Sequence, residues 1–100
     1  MKIYNIEIKD SVHNFLWELW EYLFMQSFSF QTSKRVIDEI YKEIFSLKIF
    51  PYRYESFNEK YRVLTVGKKY RIFYYVDENT NTVIVSQIFS SYQDYNNYIF

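Results

Sequence analysis

Residues 61–76, YRVLTVGKKYRIFYYV, are the segment from which the fold is best predicted. β-branched and aromatic residues fill both halves, and the only glycine of the chain separates them, which indicates two strands near 60–66 and 69–76 joined at Gly67-Lys68. Together with Lys60 the segment carries five basic side chains and no acidic one, although the net charge of the chain is zero. A local basic patch on a neutral protein favours a specific anionic ligand over general adhesion to nucleic acid.

A two-residue turn at Gly67-Lys68 would fix which side chains share a face of this hairpin. Arg62 would then lie opposite Phe73, and Leu64 opposite Arg71. One predicted face, turned away from the helices, carries both arginines: Arg62, Leu64, Lys69, Arg71 and Tyr75. The other face is predicted to pack on helices: Tyr61, Val63, Thr65, Tyr70, Ile72 and Tyr74. A four-residue loop would keep these faces, whereas a three-residue loop with a bulge would change them.

The residues before the hairpin predict one strand and two helices. In KIYNIEIK, residues 2–9, Tyr4, Ile6 and Ile8 alternate with polar residues, as in a half-buried strand. Asp10 or Ser11 is the predicted N-cap of a first helix, whose apolar stripe is Val12, Phe15, Leu16, Leu19 and Leu23. After a polar interval, a second helix has the stripe Val36, Ile37, Ile40, Ile44 and Leu47. It should end near Ile49 or Phe50, because Pro51 lacks an amide donor and restricts the residue before it.

The residues after Pro51 predict a loop, the hairpin and a further strand near 82–89. Strand 69–76 should lie in the interior of the sheet, paired on both sides. The fold class is therefore α+β with the order β-α-α-β-β-β, a two-helix hairpin on one face of a small, mostly antiparallel four-stranded sheet. Ser91 and Asp94 have the spacing of a capping box, which predicts a short C-terminal helix.

Composition limits the class of protein. The 100 residues suffice for a single domain, 1–100, and 49% of them are apolar, which is typical of a chain that folds. The absence of cysteine excludes disulfides and thiolate metal sites, and no metal or cofactor is expected. The first ten residues contain no continuous apolar segment, so we expect no signal peptide and a cytoplasmic location.

The segment YRVLTVGKKYRIFYYVDENTNTVIVSQIFSSYQDY, preceded by two helices and FSLKIFP, resembles toxins of the RelE/ParE superfamily of bacterial toxin–antitoxin pairs. The resemblance covers nearly the whole chain and is most specific in the two hairpin strands and the strand after them. It implies a compact toxin that a partner antitoxin, encoded by a neighbouring gene, holds inactive. RelE-like members act on mRNA in the ribosome, and ParE-like members act on DNA gyrase.

The resemblance also implies candidate site residues. Arg71 matches the arginine that RelE-like and YoeB-like ribonucleases place against the scissile phosphate, and Arg62 matches a basic residue on the preceding RelE strand. Tyr92 falls where YoeB-like enzymes have a catalytic tyrosine, so these three are the candidate catalytic residues. Lys68, Lys69 and Tyr75 are candidates for substrate binding. The sequence departs from both branches: Leu64 replaces a RelE lysine, Ser91 a YoeB-like histidine, and Gln93 the arginine that precedes aspartate in ParE-like chains.

Three functions remain open from the sequence. The first is ribosome-dependent mRNA cleavage, an endoribonuclease activity for which Arg71 supplies the phosphate-binding guanidinium. The second is inhibition of DNA gyrase by binding alone, and the third is an antitoxin-binding member without toxicity. These residues could also have no functional role. In that case the arginines form a solvated strand face, Lys68 and Lys69 serve solubility, and Tyr92 packs in a C-terminal helix.

Overall fold

The computed structural model describes residues 1–90. Its helices are α1, Asp10–Ser27, and α2, Phe30–Phe45; short 3-10 turns follow at Ser46–Lys48 and Pro51–Arg53. Its strands are β1, Asn5–Ile8; β2, Glu55–Ser56; β3, Arg62–Val66; β4, Tyr70–Asp77; and β5, Thr82–Ser90. The predicted C-terminal helix after Ser91, and the candidate residue Tyr92, lie outside the described residues.

The strands form one sheet in the order β1-β5-β4-β3-β2. β1 runs parallel to β5, and the other neighbours are antiparallel. The α+β class, the element order and the interior position of the 69–76 strand are therefore confirmed. The predicted count of four strands is wrong, because Glu55–Ser56, predicted as part of a loop, pairs with Val63 and Arg62 at the edge. Two residues are too few to show an alternating pattern in a sequence.

The two helices cover one face of the sheet, here called the inner face. Val12 and Leu16 of α1 and Ile40 and Ile44 of α2 are almost fully buried, as their spacing predicts. They pack with apolar residues of the four longer strands: Ile6, Ile8, Leu64, Val66, Ile72, Tyr74, Val76, Val83, Val85 and Ile88. Burial of this shared apolar surface is the main force that holds the two layers together.

The helix boundaries differ from the sequence prediction at one end of each helix. Lys9, which has no side-chain oxygen, occupies the N-cap of α1, so the predicted capping by Asp10 or Ser11 is wrong. The Ser11 hydroxyl instead donates a hydrogen bond to the Ser86 carbonyl at 3.3 Å. α2 ends at Phe45, earlier than predicted, because a 3-10 turn carries the chain on towards Pro51.

The β3–β4 register corrects the predicted hairpin. Arg62 lies opposite Tyr74 and Thr65 lies opposite Arg71, because three residues, 67–69, separate the strands instead of two. Gly67 and Lys68 both have positive φ, +60° and +62°, and the Lys69 amide donates to the Val66 carbonyl at 3.1 Å. A one-residue change in the connection alters every cross-strand pair.

Candidate functional site

The face of the sheet opposite the helices, here called the outer face, carries the candidate site. Cross-strand pairing places these residues on it: Tyr61, Val63, Thr65, Arg71, Phe73, Tyr75, Ile84 and Phe89. Ile72 and Tyr74 point to the inner face, so the prediction that they pack on the helices while Arg71 faces away is correct. Leu64, by contrast, is buried on the inner face and does not accompany Arg71.

An aromatic cluster forms the centre of the outer face. Phe73 is fully buried and makes edge contacts with Phe57 and Phe89 at ring separations of 5.0 and 5.8 Å. Tyr61 and Tyr75 form a second perpendicular pair at 5.3 Å. Perpendicular ring pairs add attraction beyond the area that they bury. The outer face is therefore a packed aromatic platform.

Two cations border this platform. The Lys60 ammonium lies 4.3 Å from the ring centre of Tyr75 and 5.4 Å from that of Tyr61, within cation–π range. Arg71 is half-buried on β4, with Thr65 across the strand on one side and Phe89 on the other. Lys60, Arg71 and the partly exposed Tyr75 thus lie at the margin of a largely buried aromatic cluster, where a cation could meet an anionic or aromatic group.

Arg62 does not share this face, which corrects the predicted arrangement of the two arginines. Its Nη1 donates hydrogen bonds to the Tyr52 carbonyl at 3.1 Å and the Tyr54 carbonyl at 2.8 Å. Its guanidinium also lies 5.1 Å from the Tyr52 ring centre. In this structure Arg62 therefore fastens the segment around Tyr52–Tyr54 to the sheet edge.

Of the three candidate substrate-binding residues, only Tyr75 lies on the aromatic platform. Lys68 and Lys69 are exposed in the turn between β3 and β4. Lys69 therefore does not belong to the face that was predicted to carry Arg71. The structure brings Arg71 and Tyr75 to one face and separates both from Arg62.

A carboxylate network that the sequence analysis missed joins three distant segments. The Glu78 carboxylate accepts hydrogen bonds from Lys2 at 2.9 Å, from the Tyr4 hydroxyl at 2.9 Å and from the Tyr52 hydroxyl at 3.0 Å. The bond from Lys2, followed by that from Tyr4, lowers the pKa of Glu78. Burial, followed by the bond to Glu78, raises the pKa of Tyr52 to about 12. The residues of this network lie up to 76 positions apart in the sequence, so no local sequence pattern could have revealed the network.

The outer surface of the helical layer contains a separate apolar groove of about 280 Å³ between α1 and α2. Trp17 and Trp20 line it from α1, and Ile37 and Tyr41 line it from α2. His13 is in the same groove, where its Nδ1 is 2.8 Å from the Tyr41 hydroxyl. The only histidine of the chain is thus on the helical layer, on the opposite side of the sheet from Arg71.

The family model for the ParE toxin of the type II toxin–antitoxin system parDE matches residues 6–95. The chain belongs to the ParE toxin family. The match spans both helices, the sheet from the second residue of β1 onward, and half of the ten residues beyond the described range. It confirms the RelE/ParE superfamily resemblance of the sequence, and with it the assignment of the chain as a type II toxin.

Solved structures share the fold of this ParE-family toxin. A chain from the chromosomal ParDE toxin–antitoxin system of P. aeruginosa superposes with a TM-score of 0.74 at 10% identity, covering 90% of this chain and 98% of that one. A chain from the RelBE2 toxin–antitoxin complex of Mycobacterium tuberculosis gives 0.67 at 17% identity, covering 93% and 97%. No curated protein sequence matches the chain significantly.

Two features are absent from residues 1–90 of this ParE-family toxin. Within that range, no group of three or more histidine, aspartate or glutamate side chains is placed to hold a metal ion. Neither helix in the same range has the length and apolar character of a membrane span.

Proposed function

We propose that this ParE-family toxin arrests growth as a ParE-like inhibitor of DNA gyrase that acts by binding, and that a cognate antitoxin neutralises it. The observation that carries the proposal is the separation of Arg62 from Arg71 by the sheet. Arg62 already donates to two backbone carbonyls, which supports a structural role for it. The family match to ParE toxins supports the same target class.

The chemistry of RNA cleavage gives a physical reason to prefer a binding function. Attack by a 2′-hydroxyl requires a proton acceptor, a cation at the phosphate and a proton donor for the leaving oxygen. Arg71 offers the cation, but its cross-strand neighbours Thr65 and Phe89 offer neither a histidine nor a carboxylate. A protein inhibitor needs only a complementary surface, to which Lys60, Arg71 and Tyr75 at the margin of the aromatic platform could contribute.

Ribosome-dependent mRNA cleavage is the second candidate, favoured by the presence of Arg71 and Tyr75 on the same face of β4. In this case Arg71 would bind the phosphate and Tyr75 would stack on a base. Arg62 would act from the other face, and Lys68 and Lys69 would contact the RNA backbone from the turn. Tyr92 would transfer the proton.

The proposed antitoxin would be a neighbouring gene product that folds on the toxin. Both structural relatives are named as parts of toxin–antitoxin systems or complexes, which supports a partner of this kind. Exposed apolar side chains on the helical layer offer additional surface for it, among them Trp17 at 65% exposure and Phe28 at 77%.

The deciding experiment measures both target activities with the same preparation of the full chain. Purified toxin is added to DNA gyrase in a supercoiling and DNA-cleavage assay, and to ribosomes programmed with mRNA in a cleavage assay. We expect inhibited supercoiling or trapped gyrase-cleaved DNA, with intact mRNA. Codon-specific mRNA cleavage with unaffected gyrase would refute the proposal in favour of the second candidate, and no effect in either assay would favour a non-toxic antitoxin-binding member.

A further inference from the structure

An aromatic strip lines both sides of the groove between α1 and α2, and the proposed inhibition of gyrase, which uses the outer face of the sheet, does not require it. Its residues are His13, Trp17, Trp20 and Phe24 on α1, and Phe30, Ile37, Tyr41 and Phe45 on α2. Trp17 and Trp20 stack with ring centres 6.1 Å apart, and Trp20 and Phe24 at 5.4 Å. Trp17, Phe30 and Phe45 are 65%, 59% and 44% exposed. A continuous exposed apolar strip of this kind marks an interaction surface.

The flanks of the aromatic strip carry opposite charges. On α1, Asp10 lies three residues before His13 and Glu21 four residues after Trp17, so both lie beside the strip, and Glu18 lies three residues before Glu21. On α2, Lys34 and Asp38 line the groove itself, and Arg35 and Lys42 lie on the flank beyond them. Within residues 1–90 the only ion pair formed by these groups is Lys34–Asp38, at 2.6 Å on α2 itself. Glu18 and Glu21 on the α1 flank and Arg35 and Lys42 on the α2 flank take no part in that pair and are thus available to an external partner.

We propose that the aromatic strip is a self-association surface on which a second copy of this chain packs to form an antiparallel four-helix bundle. A two-fold axis parallel to the helices would place α1 of each copy over α2 of the other. Acidic and basic flanks would then face each other twice, as in an isologous interface. An axis perpendicular to the helices would place α1 on α1 and oppose like charges.

The heights of the charged residues along the hairpin fit this arrangement. The contact between His13 and Tyr41 shows which turns of the antiparallel helices lie level. Along the helix axis, the heights of Glu18 and Glu21 above this contact can be compared with those of Lys34 and Arg35. At about 1.5 Å of rise per residue, the two acids and the two bases lie within about one helical turn of each other. A rotation about an axis parallel to the helices preserves height, so each acidic turn of one copy would meet the basic turn of the other.

The size of the helical layer is sufficient for a weak specific dimer. Helices of 18 and 16 residues are roughly 27 and 24 Å long, and side by side they are about 20 Å wide. Two such faces would bury on the order of 1,000 Å², which is the lower bound for a specific interface. We therefore expect association in the micromolar range, centred on Trp17 and Trp20.

The test measures the mass of the purified full chain by sedimentation equilibrium over a range of micromolar concentrations. The interface variant is Trp17→Arg, and the matched control is Tyr22→Arg, which changes a 60% exposed aromatic residue of the same helix outside the groove. We expect a dimer for the parent and the control, and at least a tenfold weaker association for Trp17→Arg. Circular dichroism checks that both variants fold.

A charge exchange identifies the arrangement. Glu21→Lys and Arg35→Glu should each weaken the dimer, and the double variant should regain association because the exchanged pair forms across the two-fold axis. A monomeric parent, a dimer insensitive to Trp17→Arg, or a double variant as weak as the single ones would overturn the proposal. Antitoxin capture lost in Trp17→Arg while the parent stays monomeric would assign the groove to the antitoxin and refute self-association. None of these readings depends on the gyrase assay.

Discussion

Arg62 and Arg71 lie on neighbouring strands but on opposite faces of the sheet, with Arg62 opposite Tyr74 and Arg71 opposite Thr65. Arg62 bonds to the backbone of the segment after Pro51, whereas Arg71 borders the aromatic platform of the outer face. The two arginines of one basic hairpin therefore make their contacts on different faces of the sheet. The two residues can be tested separately, because their expected effects fall on stability in one case and on activity in the other.

For Arg71→Ala we expect growth arrest to persist within about tenfold of the parent dose, since a binding surface spreads its energy over several contacts. The measurement is growth against inducer concentration, together with the gyrase assay. A fall of roughly 10²–10³ in ribosome-dependent cleavage, with little recovery in Arg71→Lys, would instead indicate loss of a positioned phosphate-binding guanidinium. Under that outcome, a defect in Tyr92→Phe would assign the proton transfer.

Arg62→Ala should lower the free energy of unfolding by about 1–3 kcal/mol, because two backbone carbonyls lose a charged donor. Arg62→Lys should recover only part of this, since an ammonium lacks the planar fork of the guanidinium. The measurement is urea unfolding, with Lys69→Ala, an exposed base of the same hairpin, as the control expected to change stability by less than about 0.5 kcal/mol. Equal stability of Arg62→Ala and the parent would remove the structural role assigned to Arg62.

The Glu78 network predicts a loss of stability in acid. The pKa of Glu78 is lowered in the folded state, chiefly by the hydrogen bond from Lys2, so the folded protein binds fewer protons than the unfolded one. The contribution of the ionised Glu78 carboxylate to the free energy of unfolding is fully present above the ordinary pKa of a glutamate. This contribution is lost as the pH falls through the lowered pKa of Glu78. In Glu78→Gln the thermal midpoint should depend less on pH in this range, whereas Glu59→Gln, which alters an exposed carboxylate, should behave as the parent. Identical pH profiles for Glu78→Gln and the parent would contradict the network.

Tyr74→Phe should destabilise the protein by about 1–3 kcal/mol, because the buried Tyr74 hydroxyl donates to the Pro51 carbonyl, which would lose its partner. Burial raises the pKa of Tyr74 to about 12. Its contribution is therefore complete below the ordinary tyrosine pKa near 10 and is lost as the pH rises towards 12. Urea unfolding at neutral and alkaline pH should show a smaller alkaline loss in Tyr74→Phe than in the parent. An equally steep loss of stability at alkaline pH in Tyr74→Phe and in the parent would contradict this prediction.

Local sequence was enough to predict the two helices, the four longer strands and the layer to which each belongs. The strand patterns of residues 2–9 and 69–76 and the apolar helical stripes follow from the burial of one face of each element. These stripes include Leu16 and Ile40, and the burial of such faces holds the elements in the fold. Pro51 gave only an outer bound for the second helix, which ends at Phe45, because its ring restricts the backbone at and just before its own position. The family resemblance rested on the order and spacing of these same elements, and the match over residues 6–95 confirms it.

The tertiary structure decided how the strands align and which side chains meet. Lys69 lies in the turn and not in β4, which shifts the β3–β4 register by one residue from the predicted one. Because side chains alternate between the two faces of a strand, this shift was enough to separate Arg62 from Arg71. The length of the turn depends on a balance of backbone hydrogen bonds and packing. The local sequence Gly67-Lys68-Lys69 does not determine that balance. The Glu78 network joins residues from three segments, and only folding brings its donors within 3.0 Å of the carboxylate. Composition and periodicity thus determine which face each element buries, while register and long-range contacts require the packed chain.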